Sequence, residues 1–155
     1  MNRLVGLKKI RKTWDKYTQG WLGSIIYLIL GFVIAFLLNT VLGFALNTST
    51  PVVAVFSESM EPTYYKGDMI IVQDTGDYSI GDIIVYDVSE RRFPIIHRII
   101  TINPDGTYET KGDNNTGQLQ FEHNIDQDRI HGRSILRIPL LGWVKIIFTE
   151  ATGIG

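Results

Sequence analysis

A hydroxyl set at the end of a short apolar run is a natural place to build acyl-transfer chemistry, and this chain has such a place. The stretch P-V-V-A-V-F-S-E-S-M-E-P, Pro51 to Pro62, is apolar from Val52 to Phe56 and then breaks into a polar turn. A serine at a strand-to-turn junction is lifted clear of the sheet, as a nucleophile requires. Ser57 and Ser59 are two apart, so the backbone N–H of one and the hydroxyl of the other can converge on one small volume. An attacking oxygen beside donors for the oxyanion it creates is the minimum equipment for cutting an amide. The same residues also compose an ordinary serine-rich turn. Deciding between the two requires a base. Candidates are His97, His123, His131 and the lysines, but no lysine lies between Lys66 and Lys111. A Ser–Lys dyad drawn from the middle of the chain is therefore excluded, leaving Lys66 as the lysine rival.

S-E-S-M-E-P resembles the S-x-S-M-x-P box of type I signal peptidases. The likeness continues through Y-K-G-D-M-I-I-V (Tyr65 to Val72), G-D-I-I-V-Y (Gly81 to Tyr86), I-I-H-R (Ile95 to Arg98) and K-G-D-N-N (Lys111 to Asn115), in the family's order. It covers roughly Leu22 to Phe148. In that family the serine before the methionine is the nucleophile, which makes Ser59 the expected attacking residue. The bacterial branch has a lysine where the endoplasmic-reticulum and archaeal branch has a histidine followed by arginine. I-I-H-R matches the second branch and implies His97 as general base. Ser57 and the Ser59 N–H match the family's oxyanion donors, and Met60 would wall the substrate groove or pack in the core.

The third member of the triad is where the chain departs from its family. Relatives usually carry a second aspartate six residues beyond K-G-D, but that position here is Leu119, and the next acid is Glu122. Asp113, in the matching box, is the expected partner of His97, with Asp126, Asp128 and Glu122 as alternatives. The resemblance implies a membrane-bound serine endopeptidase that removes signal peptides from exported preproteins, cutting after a small residue through an acyl-enzyme. It implies neither metal nor other cofactor. Partners would be signal peptides, the lipid bilayer and possible companion membrane subunits or a translocation channel. The rival from another class is an inactive, membrane-anchored subunit that binds peptides or scaffolds a secretion complex.

These side chains need elements to hold them. Val52–Phe56, Met69–Gln73, Ile83–Val88, Pro94–Ile102, Thr107–Lys111 and Ile130–Ile138 read as strands, separated by turn signals such as D-T-G-D and N-P-D-G. No stretch after residue 50 shows helical periodicity. The expectation is a mainly β domain, a small partly closed barrel, behind one N-terminal transmembrane helix. Ile138–Phe148 reads as a further strand or a segment seeking the membrane interface through Trp143 and Phe148.

Charge supports the division. The first 20 residues hold six basic side chains against Asp15 alone, whereas residues 47–155 hold nine basic and fifteen acidic ones. Between them Trp21–Leu46 carries no charge, and as a helix it would run roughly 39 Å, more than the roughly 30 Å of a bilayer's hydrocarbon core. An apolar run of this length exceeds that of a cleaved secretory signal. The basic flank places residues 1–20 on the cytoplasmic side as a surface-lying amphipathic segment or a plain topology signal, 21–46 across the membrane, and 47–155 outside. An acidic domain argues against a nucleic-acid partner. With no cysteine, disulfides and thiol chemistry are excluded.

Overall fold

The computed structural model describes residues 20–89 and 91–153. The amphipathic segment expected before residue 20 lies outside them. The chain divides into two compact units after Val41. Helix α1, Trp21–Ala45, is long and apolar enough to cross a membrane, with a mean hydropathy of 2.6. Thr40, late in this helix, donates its hydroxyl to the Phe36 carbonyl at 2.9 Å, so its polar group is satisfied within the helix.

The second unit is a six-stranded antiparallel sheet: β1 (Val52–Ala54), β2 (Met69–Gln73), β3 (Ile83–Tyr86), β4 (Ile95–Ile102), β5 (Tyr108–Lys111) and β6 (Ile130–Ile138). Their spatial order is β1-β2-β6-β3-β4-β5, so the last strand in the chain is inserted between the two halves of the sheet. The start of β6 pairs with β3 (Val85 opposite Gly132) and its end with β2 (Met69 opposite Ile138).

Alternation along β3 explains the core. Ile83 and Val85 face a cluster with Val53, Val55, Met60, Ile70 and Val72, while Ile84 and Tyr86 face a second cluster with Ile99, Tyr108 and Ile125. A strand buried on both faces reads as a continuous apolar run, as I-I-V-Y does.

The sheet stays open, with β1 and β5 at its edges, but it curls strongly. Strands four places apart would lie roughly 19 Å apart in a flat sheet. Yet the turn after β1 touches β4. Register shifts at Ile71/Val72, Val85/Tyr86 and Ile99/Thr101 supply the bending, since a bulge adds local twist. At the central crossing Gly132 has φ 142°, and a Cβ there would stand 2.5 Å from the Gln73 carbonyl oxygen. Only glycine lets β6 pass that close to β2.

The expectation of a C-terminal strand, with no helix after residue 50, is corrected. Gly142–Thr152 is helix α2, ended by Gly153 in the left-handed conformation. Its buried positions, Gly142, Ile146 and Thr149, have helical spacing. Apolar residues at the exposed positions Val144, Ile147 and Phe148 blur that period in the sequence. Strand ends are also shorter than expected at β1 and β3, where Val55 and Asp87 leave the ladder for turn hydrogen bonds.

Candidate active site

Ser59 leaves β1 on a turn whose backbone is tied from the opposite side of the sheet. The Asn114 N–H donates to the Ser59 carbonyl at 2.8 Å, and the Asn114 side-chain amide donates to the Glu58 carbonyl at 3.2 Å. His97 stands on β4 opposite Ile84 and is 4% exposed. Its Nε2 lies 3.0 Å from Ser59 Oγ. The sheet's curl thus brings together the two residues that the sequence puts 38 apart.

The carboxylate on the other side of the imidazole belongs to Glu122. Its Oε1 lies 2.5 Å from His97 Nδ1, and the side chain is fully buried. A carboxylate at Nδ1 keeps the proton on that nitrogen and leaves Nε2 free to accept one from Ser59. Glu122 closes a 3-10 turn, Gln120–Glu122, whose Leu119 N–H donates back to Glu122 Oε2. The Gly112 N–H donates to Oε1 at 3.3 Å.

Asp113, the expected partner of His97, is committed elsewhere. Arg98 grips it with Nε to Oδ1 at 2.8 Å and Nη2 to Oδ2 at 2.6 Å, and the Thr63 hydroxyl donates to Oδ2 at 2.5 Å. The geometric assignment therefore moves from Asp113 to Glu122. Asp126 and Asp128 stand exposed beyond Ile125, and among the described residues neither is bonded to His97. Lys66 is directed elsewhere as well, its Nζ lying 5.7 Å from the centre of the Trp143 ring. His123 pairs with Glu109 and His131 with Asp87.

Four residues of K-G-D-N-N now have a place. Gly112 packs so tightly that a Cβ would fall 2.7 Å from the Ser59 carbonyl oxygen and 2.9 Å from His97 Nε2. Asp113 holds Arg98, and Asn114 holds the nucleophile turn. The Asn115 N–H donates to the Gly112 carbonyl at 3.0 Å and closes the loop.

Electrostatics favour a neutral base. Burial pushes His97 below its ordinary value, against the opposing pull of Glu122 and, more weakly, Asp113. Asp113 is held below the usual carboxylate range chiefly by Arg98, with burial opposing and Thr63 assisting.

Ser57 Oγ lies 3.1 Å from Ser59 Oγ, and among the described residues the Ser59 N–H has no hydrogen-bond partner. Both groups lie beside the Ser59 hydroxyl. A cavity of about 50 Å³ opens here, walled by Ala54, Phe56, Met60, Pro94 and Ile96. Met60 takes both of its expected roles, core residue and groove wall. A larger cavity of about 530 Å³ near Arg91, Phe121 and Arg129 has neither Ser59 nor His97 in its lining.

A hydroxyl, an imidazole and a buried carboxylate in successive contact have the arrangement of a serine-hydrolase triad. The chain belongs to the signal peptidase family, peptidase S26, whose model matches residues 25–114. It is 35% identical over 115 residues to the signal peptidase complex catalytic subunit SEC11 of Colletotrichum graminicola, covering 65% of each chain. The Ogataea parapolymorpha SEC11 is 32% identical over 126 residues, covering 66% of this chain and 70% of the relative. The sec11 subunit of Dictyostelium discoideum is 32% identical over 113 residues, covering 66% and 63%. The chain thus matches just under two thirds of the length of the Colletotrichum relative. Glu122 lies beyond the family match, which stops at residue 114.

Proposed function

We propose that the protein is a membrane-anchored serine endopeptidase that removes signal peptides from exported preproteins. The observation that carries this reading is the contact series Ser59–His97–Glu122 in a chain of the signal peptidase family. His97 Nε2 takes the proton from Ser59 as its oxygen attacks the scissile carbonyl. Glu122 stabilises the imidazolium that forms, and the Ser59 N–H and Ser57 hydroxyl hold the oxyanion. His97 then gives its proton to the leaving amine, and water, activated in the same way, hydrolyses the acyl-enzyme.

The small cavity beside Ser59, about 50 Å³, supports a preference for a small side chain before the cut. The groove between Ala54–Ser57 and Pro94–His97 lies beside the open edge of β1, where an extended peptide can add its backbone.

The anchor is α1, with residues 1–20 cytoplasmic and residues 47–155 on the far side of the membrane, following the basic flank. Restricting the site to the membrane surface selects substrates whose own apolar segment already spans the bilayer. The relatives are named as catalytic subunits of a signal peptidase complex, and this chain would work beside companion subunits in the same way.

Processing of a preprotein by the detergent-solubilised full chain tests this reading. Wild type should cut after a small residue, Ser59→Ala and His97→Ala should not, and Glu122→Ala should lose roughly a thousandfold to ten-thousandfold in kcat. A wild type that binds signal peptides and cuts none would replace it with the inactive scaffold.

A further inference from the structure

The carboxylate facing His97 rides on a loop, and a loop holds a side chain only as well as the loop itself is held. Residues 117–125 leave the sheet after K-G-D-N-N and return at Ile125, where a two-way bridge to Tyr108 re-anchors the chain. Between those points three of the ties to the sheet converge on one residue of β5, Glu109, while Gln118 Nε2 also donates to the Thr110 carbonyl at 3.1 Å. Glu109 Oε2 lies 2.5 Å from His123 Nδ1 and accepts from Gln118 Nε2 at 3.1 Å. Its Oε1 accepts from the Asn124 N–H at 3.1 Å and from Asn103 Nδ2 at 3.0 Å. Gln118 precedes Glu122 in the loop and His123 and Asn124 follow it, so Glu109 grips both sides of the turn. We propose that Glu109 is a positioning residue that fixes the Glu122 carboxylate on His97 by clamping this loop from both flanks.

Three observations support the assignment. Glu109 is only 15% exposed on its side chain, so its four partners replace water that burial has removed. Although burial pushes its carboxyl up, the hydrogen bonds from Asn103, Asn124, His123 and Gln118 outweigh it and hold the group ionised. The clamp also sits where it is needed. Beyond its contact with His97, Glu122 has only the Gly112 N–H and its own Leu119 N–H to fix it. The Leu119 bond moves with the 3-10 turn, so of these two only the 3.3 Å bond from Gly112 ties the turn to the sheet. Displacements of about 1 Å in a catalytic constellation can cost 10²-fold in rate.

This inference rests on the endopeptidase reading for its kinetic test and stands apart from it in a second one. In the full-length protein Glu109→Ala should lower kcat by about tenfold to a hundredfold with KM nearly unchanged. Glu109→Gln, which keeps an acceptor for Asn103 and Asn124, should recover most of it. In Glu122→Ala, adding Glu109→Ala should cost little more, because the clamp acts only through that carboxylate. Independently of turnover, NMR titration of the His97 ring should shift to lower pH in Glu109→Ala, since Glu122 is what supports the imidazolium. If Glu109→Ala fails to fold, Gln118→Ala and His123→Ala each remove one arm and should give the same shift in smaller measure. An unchanged His97 titration, or losses that add in full on Glu122→Ala, would overturn the clamp. A wild type without turnover would overturn the endopeptidase reading alone, with the titration still deciding this one.

Discussion

Arg98 takes Asp113 in a two-pronged grip from the position next to His97. Because side chains alternate across a strand, His97 turns to one face of β4 and Arg98 to the other, and both reach the K-G-D-N-N turn. Removing the carboxylate leaves a half-buried guanidinium without its main partner. Asp113→Ala should therefore destabilise the fold by about 1–3 kcal/mol, read by denaturant unfolding. The folded fraction should retain far more turnover than Glu122→Ala. Equal kinetic losses in the two variants would return Asp113 to the triad.

Gly112 leaves no room for a methyl group between the Ser59 carbonyl and the His97 ring. Gly112→Ala should abolish cleavage by forcing that ring and the nucleophile turn apart. Overpacking of this kind also costs about 1–3 kcal/mol. A variant with wild-type turnover would mean that the turn relaxes without cost.

Ser57 offers one hydroxyl to the developing oxyanion. Ser57→Ala should reduce kcat by about a hundredfold to a thousandfold, as for loss of one oxyanion donor elsewhere, with an unchanged melting curve because the side chain is exposed. Retained turnover would leave the Ser59 N–H as the only donor assigned here.

The pH profile separates His97 from Asp113. Because burial depresses His97 below 6.5, cleavage should persist as pH falls through 6.5 and fail only at the lower folded value. The folded state binds fewer protons there than the unfolded chain, so this histidine's contribution to stability is complete above 6.5 and is lost as pH falls through the folded value. Asp113 is likewise depressed, so its contribution is present above 3.8 and disappears only in stronger acid. Rate and unfolding midpoints measured across this range should show two separate limbs. A rate limb at or above 6.5 would remove burial as the dominant influence on His97.

Most of the fold is written in short-range patterns. Short runs bounded by turn residues mark all six strands, and Asn103–Gly106 closes the β4–β5 hairpin as its N-P-D-G suggests, with the Gly106 N–H donating to the Asn103 carbonyl at 3.0 Å. Ser59 and His97 are legible because each sits where a local pattern changes character. Glu122 is legible only as one of several acids, because its role depends on how a nine-residue excursion folds back, and spacing along the chain says little about such a return. The available signal was chemical. Glu122 is the lone acid between Asp113 and Asp126, next to Phe121, and a glutamate three residues past a turn's start can cap it. Helix α2 was hidden for a different reason, since apolar residues extend beyond its buried face to the exposed positions Val144, Ile147 and Phe148.

Strand order sets a clock on the site. The β1–β2 pair leads to Ser59, the β3–β4–β5 group carries His97, and among the strands β6 alone pairs with both groups. The sheet therefore cannot be completed until the ribosome has delivered the chain through Ile138, well after both Ser59 and His97 have been made.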